Sequence, residues 1–235
     1  MEITINYRKV FWFLTGMIVM FVLLQFYNMY QYMIDIKTLG IGHAKFIRLI
    51  DLDTEANLPT LFSVLQLILA SLLLYVISRI PVKNMGRTAW LGLSGVFFFL
   101  AVDEGAAIHE KIGTYFKNNL LPAETTDGLF YFAWMIPYLF LLIIFGIVFF
   151  RFLLNLPWKY SRGFIISGVI FILGAIVIES KGSLIASQGN IGSVNYCLAY
   201  TAEETCEMFG ITLFIKYLMM YIQEYAKNTI NISVR

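Results

Sequence analysis

Charge is scarce in this sequence: Asp, Glu, Lys and Arg supply 14% of its 235 residues, against about 25% in an ordinary soluble domain. So little charged surface cannot cover a water-facing globule, which excludes a soluble fold. Histidine is scarcer still, with two residues, His43 and His109, too few for an all-histidine metal centre. The two cysteines, Cys197 and Cys206, fall in one apolar run, about 13 Å apart if that run is helical. That separation exceeds disulfide reach, and both read as small buried hydrophobes. There is no Gly/Ser-rich or Pro-rich linker, and no polar stretch long enough to fold by itself. Residues 1–235 are therefore read as a single transmembrane domain.

What fills the chain instead is apolar. Hydrophobic residues make up 59% of it, against roughly 45–50% in soluble domains, and the mean hydropathy is +0.75. Runs near the ~20 residues needed to cross ~30 Å of hydrocarbon lie at about 10–33, 60–78, 88–109, 128–154, 163–179 and 195–222. The predicted fold class is all-α, an integral membrane bundle of six transmembrane helices in contact with the lipid bilayer, with no nucleic-acid partner. The first run is too long for a removable signal peptide and carries no small-residue cleavage site, so it is expected to be the first span.

Orientation follows from Lys and Arg, which enrich cytoplasmic loops. Arg8, Lys9, Arg79, Lys83, Arg87, Arg151, Lys159, Arg162, Lys227 and Arg235 fall on one side, ten in all, against six on the other: Lys37, Lys45, Arg48, Lys111, Lys117 and Lys181. Both termini are predicted to be cytoplasmic, with Lys216 snorkelling to the inner headgroups. Of fifteen acidic residues only Glu2 and Glu224 share that inner side. Acidic residues contribute little to topology, so their crowding outside needs another cause. Solvated loop charge accounts for Asp35, Glu124 and Asp127, but not for the rest.

In the third run, Asp103-Glu104-Gly105-Ala106-Ala107-Ile108-His109-Glu110 follows an apolar stretch with no breaker, so the helix is predicted to continue through it. Asp103 and Glu110, seven residues apart, would then share nearly one face, at ~22 Å and ~33 Å from the cytoplasmic edge. In the sixth run Tyr196, Tyr200, Glu203, Glu207 and Gly210 form one helical stripe with Glu204 at its edge. Carboxylates packed this closely, about 10–17 Å below the outer surface, cannot all ionise without a cation or protons. Glu179 ends the fifth run at its outer edge.

Asp51, Asp53 and Glu55 precede the second run. Their alternation has the start of an EF-hand loop but neither its sixth-position glycine nor its twelfth-position Glu, Ala56 and Phe62 standing there. That motif is rejected, although a looser cation site stays open. Asn57 reads as the N-cap of a helix opening Leu58-Pro59, and Pro137 is expected to kink the fourth helix.

The paired motifs Asp103-Glu104…His109-Glu110 and Glu203-Glu204…Glu207-Met208-Phe209-Gly210, DExxxxHE and EExxExxG, resemble those of an uncharacterised group of small bacterial multi-pass membrane proteins. The likeness spans the whole chain and implies a bacterial inner-membrane location, but brings no activity. Alkaline ceramidase-like hydrolases hold zinc with three histidines and do not match. The ferritin-like di-iron pattern also fails, since Ala106 stands where its Glu-x-x-His would need an acid before His109.

Seven acids, Asp103, Glu104, Glu110, Glu179, Glu203, Glu204 and Glu207, face only Lys111, Lys181 and a protonated His109 in this zone. The leading expectation is an outward-facing pocket in which Asp103, His109, Glu110, Glu179, Glu203 and Glu207 hold one or two divalent metal cations. Mn, Fe, Ca and Mg suit this set better than Zn. If the protein is an enzyme, Glu204 and His109 are its catalytic acid–base candidates, acting on a lipid-like substrate. A cation or proton-coupled transporter would use the same carboxylates on a small ion. Against it stand the lack of an internal repeat and inner helix halves rich in Phe, Leu and Ile. A membrane subunit or sensor without catalysis is a third reading. A structural network of protonated or tyrosine-paired acids is the bland alternative to all three.

Overall fold

The computed structural model describes residues 6–40, 45–81, 86–121 and 128–226. Glu2, His43, Lys83, Glu124, Asp127, Lys227 and Arg235 lie outside the described residues. Among those described, all regular structure is helical. Six helices are long and apolar enough to cross a membrane: Tyr7–Leu39, Leu58–Arg79, Arg87–Ala106, Met135–Asn155, Trp158–Ser187 and Val194–Tyr225. The chain is a multi-pass integral membrane protein built as an all-α bundle. In hydrocarbon every backbone polar group must be satisfied within its own segment, and helices achieve this.

The helix starts follow local chemistry. In α1 (Tyr7–Leu39) the Asn6 side chain accepts from Arg8 N at 2.9 Å. In α2 (Leu58–Arg79) Asn57 accepts from Thr60 N at 3.0 Å, and Pro59 sits in the first turn, where its missing N–H costs nothing. The last helix, α8 (Val194–Tyr225), opens on Ser193, which accepts from Tyr196 N at 3.2 Å.

That last helix is the hub of the bundle, with α1, α2 and the fifth span packed around it. Met208, Ile211, Ile215, Leu218 and Tyr221 are buried along its length. Gly210 lets it approach the fifth span closely, for a Cβ there would lie 2.9 Å from both Ser167 O and Phe171 N. Small residues at such crossings are how membrane helices gain dispersion contact. On the periphery α5 (Met135–Asn155) turns Phe140, Ile143, Ile147 and Phe150 outward, toward lipid.

Three local expectations are corrected. The third span does not run on to Glu110: α3 (Arg87–Ala106) stops where Ala107 takes a left-handed conformation (φ 50°, ψ 46°), and α4 (Ile108–Asn119) starts anew. Asp103 and Glu110 therefore do not share one helical face, and a depth for Glu110 measured along one axis does not apply. The fifth span does not end at Glu179 either. It comprises α6 (Trp158–Ile172), a wider π-helical stretch Leu173–Ile178, and α7 (Glu179–Ser187), so Glu179 stands at an internal junction. Finally, Pro137 lies in the first turn of α5, where it needs no kink. Residues 128–134 before it form a short 3₁₀ turn, Gly128–Phe130, and bends.

Candidate functional site

A cavity of about 550 Å³ opens at the end of the bundle where α2 begins and α3 stops. All seven residues singled out as metal ligands or acid–base groups line it: Asp103, His109, Glu110, Glu179, Glu203, Glu204 and Glu207. Asp53, Glu55 and Glu104 line it as well, so nine carboxylates face His109 and Lys117. Lys111 and Lys181, expected to balance the acids, are not on its wall. Lys111 instead donates to Ala106 O at 2.5 Å, closing the end of α3.

The break at Ala107 builds the site. A left-handed alanine costs roughly 1–2 kcal/mol, and Asp103 offsets this by capping the helix beyond the break. Its Oδ1 accepts from His109 N at 2.8 Å and from Tyr138 OH at 2.7 Å. Its Oδ2 lies 3.4 Å from His109 Nδ1, while His109 Nε2 lies 3.4 Å from Glu55 Oε1. A linear relay results: Tyr138, Asp103, His109, Glu55. The His109 ring also meets Trp134 edge-on, with centroids 5.2 Å apart. Burial opposes charge on His109, but the hydrogen bond and charge of Asp103, with Glu55 and Glu104, outweigh it and push the imidazole up to about 9.

The loop before α2 supplies the opposite wall. Asn57 Nδ2 donates to Asp51 O and Thr54 O, both at 2.6 Å, curling residues 51–57 around one side chain. Gln25 of α1 fixes that curl by accepting from Leu52 N at 3.2 Å and donating to Tyr200 OH at 2.7 Å. Tyr196 OH donates to Asp53 Oδ1 at 2.9 Å, tying the loop to α8. Desolvation by the pocket walls raises Asp53 to about 6, partly countered by Tyr196 and reinforced by Asp51, Glu179 and Glu110. Burial likewise lifts Glu55 to about 7, with His109 pulling it down and Glu110, Glu104 and Asp103 pushing it up. Asp51 is buried and raised for the same first reason.

The floor comes from the fifth span and α8. Within the π-helical stretch, Gly174 presses against α8 so closely that a Cβ would lie 2.7 Å from Glu203 O and 3.1 Å from Glu207 Cγ. Single π-helical turns are frequent at functional sites. This one sets Glu179, the next residue, facing Glu203 and the Trp134 indole. As the side chains stand, no three His, Cys, Asp or Glu among the described residues form a set that could hold a metal ion.

Sequence reasoning missed Trp134, Tyr138 and Lys117, which carry no motif. It noticed Asp53 and Glu55 without placing them in the pocket. Their alternation was the available signal, and their anchors, Gln25 and Asn57, are what point them inward.

The chain belongs to the family described as Domain of unknown function (DUF8692), whose model matches residues 10–221. No curated protein and no solved structure matches it.

Proposed function

We propose that this member of the DUF8692 family is a metal-dependent membrane enzyme that binds divalent cations in the carboxylate pocket and acts on a lipid-like substrate. The observation that carries the reading is the charge imbalance, nine carboxylates against His109 and Lys117 on one cavity wall. Carboxylates gathered out of bulk water need a counter-charge. Oxygen-rich donors suit Mn, Mg, Ca or Fe. Glu179, Glu203 and Glu207 are the proposed ligands on the floor, with Asp103 and Glu110 at the α3–α4 break, and rotation of their side chains would close them on an ion. The cavity of about 550 Å³ exceeds the needs of a bare ion and falls within the roughly 300–1,000 Å³ range of small-molecule sites. That favours an ion with a substrate group beside it over an ion alone.

An ion held by these carboxylates would supply Lewis acidity toward a bound water, and Glu204, on the same cavity wall, would serve as the general base. His109, held between Asp103 and Glu55 at 3.4 Å from each, would be the general acid toward a leaving group. As a ligand, His109 would first have to release that proton. The basic asymmetry supports an outward-facing pocket with both termini cytoplasmic, and the motif resemblance supports a bacterial inner membrane as its setting.

Elemental analysis of detergent-purified protein tests this, paired with Glu207→Gln. Stoichiometric metal in the wild type, lowered in the variant together with its melting temperature, is the expected outcome. Metal-free protein, a melting temperature indifferent to chelator and a Glu207→Gln variant at least as stable as its parent would overturn the metal site and leave protons as the counter-charge.

One observation favours the transporter reading as a second. Beneath the pocket, fully buried Gln66 donates to Thr212 Oγ1 at 2.6 Å, and its Oε1 has no partner among the described residues. Further along α2, Ser71 Oγ donates to Ser94 O at 2.8 Å. Polar groups thus continue farther inward than the Phe, Leu and Ile content of the inner halves implied. Beyond them Leu74, Ile77 and Leu218 are packed shut, so the one-sided site leads. Ion flux into liposomes decides between the two.

A further inference from the structure

At the far end of α2 and α3 a second cavity of about 380 Å³ carries the opposite charge. Arg79 and Arg87 line it, with Ser78 at its side and Trp90 and Tyr221 as its floor, and no Asp or Glu among its described lining residues. Since α2 runs 22 residues from the carboxylate pocket to Arg79, the two cavities are separated by about 30 Å along the helix, one at each membrane surface.

Among the described residues neither arginine has an acid as its ion-pair partner. Arg79 Nη2 donates to Tyr75 OH at 2.6 Å, with the guanidinium stacked 4.7 Å from that ring's centroid. A tyrosine orients the guanidinium without discharging it. Arg87 has no ion pair among the described residues. By contrast Lys159, at the same end of the bundle, is matched by Glu224 at 2.9 Å. Arg87 is also the first residue of a 20-residue helix whose N-cap, Gly86, offers no side-chain acceptor. The first amides of α3 and the positive end of its dipole therefore add to the two guanidinium groups. Trp90, 2% exposed and packed on Phe152 and Tyr221, closes the cavity on its inner side.

We propose that this cavity is a binding site for a phosphate-bearing anion, with the Arg79 and Arg87 guanidinium groups clasping the phosphate oxygens. Planar guanidinium forks match phosphate geometry in a way that point charges do not. Two sources share that chemistry, an anionic phospholipid headgroup and free phosphate. The proposal is independent of what the carboxylate pocket binds.

The test is thermal unfolding of the full chain in detergent, titrated separately with a short-chain phosphatidylglycerol and with inorganic phosphate, using wild type, Arg79→Gln/Arg87→Gln, Arg87→Gln alone, and Arg162→Gln as a basic residue off the cavity wall. A saturable rise in melting temperature is expected for wild type and Arg162→Gln. The double variant should show apparent affinity weaker by about tenfold or more, as loss of charge-assisted hydrogen bonds predicts. A response to phosphatidylglycerol alone assigns the lipid source, whereas a response to phosphate that competes with the lipid assigns the free ion. Should the double variant fail to fold, Arg87→Gln alone reports, because that exposed side chain makes no ion pair among the described residues. No response to either probe, or responses unchanged in the arginine variants that fold, overturns the proposal.

Discussion

Replacing Gly174 by alanine tests whether the π-helical stretch fixes the pocket floor, because two effects of known sign oppose each other there. Inside a helix Gly→Ala is favourable by roughly 0.5–1 kcal/mol. At Gly174, however, the new Cβ would lie 2.7 Å from Glu203 O and 3.1 Å from both Cys206 Cβ and Glu207 Cγ. The nearest atom belongs to the backbone and cannot rotate away, so the fifth span must move off α8 by some tenths of an ångström. Overpacking of this kind costs about 1–3 kcal/mol, which exceeds the propensity gain. The control lies in the same span: a Cβ at Gly168 meets nothing within 4 Å. Gly174→Ala should therefore lower the melting temperature of detergent-purified protein by several degrees, on the scale of about 2–4 °C per kcal/mol for chains of this size. Gly168→Ala should leave it unchanged or raise it. Since the displaced atoms belong to Glu203 and Glu207, the first variant should also loosen ion binding, read by metal content. Equal or higher stability for Gly174→Ala than for Gly168→Ala would refute the close-approach reasoning.

Ala107→Gly should be neutral or stabilising by up to about 1 kcal/mol, because the residue is left-handed and glycine alone adopts that conformation freely; a loss of that size would instead mean an unbroken helix. Asp103→Asn keeps an acceptor for His109 N and Tyr138 OH but removes the charge, so the imidazole should titrate well below about 9, with Glu55 and Glu104 still facing it; an unchanged NMR titration would count against the relay. In the wild type the stabilisation from a His109 raised above its ordinary 6.5 is complete below that pH and is lost as pH rises through about 9, so a denaturation series should fall across this window and flatten in Asp103→Asn. Glu55, raised from 4.5 to about 7, contributes in the same direction at lower pH, its stabilising term being lost as pH rises through about 7. Cysteines introduced at Lys117 and Lys159 should label from opposite faces of intact cells, Lys117 from outside; the reverse would invert the orientation.

The spans were legible because a bilayer imposes a length and a composition, and every apolar run found its helix to within three residues, apart from the end of the first, the start of the fourth and both ends of the fifth. Caps with side-chain chemistry were also legible: Asn57 before Leu58-Pro59 does what its position predicts. The break at Ala107 was not, since nothing about alanine announces a left-handed residue. The conformation is imposed from outside, by Asp103 reaching six residues ahead and by Lys111 reaching back. The π-helical stretch is hidden for a similar reason. Leu173–Ile178 reads as ordinary apolar helix, and only the tightness of Gly174 against α8 shows why the turn widens there. Periodicity placed Glu203 and Glu207 on one stripe, but the inward turn of Asp53 and Glu55 depends on Asn57 and, from another helix, on Gln25, a contact the local segment does not encode.

The distribution of charge along α2 and α3 would let the two ends of the molecule hold the proposed ligands of opposite sign independently. Between the carboxylates near Thr60 and Asp103 and the arginines near Arg79 and Arg87, the bundle interior is closed by Leu74, Ile77, Leu93 and Leu218, all buried. An ion crossing that layer would lose its hydration with no charged partner to replace it, at a cost of several kcal/mol or more. Attraction between the two ends is also weak, since at about 30 Å even an effective dielectric of 20 leaves only ~0.5 kcal/mol per pair of unit charges. Each cavity must therefore find its counter-charge locally, from its own membrane surface. This predicts that disabling one site leaves binding at the other intact: the Arg79→Gln/Arg87→Gln protein should retain wild-type metal content, and Glu207→Gln should retain the response to phosphatidylglycerol. Loss of both together in either variant would mean that the apolar layer is not the insulator it is taken to be.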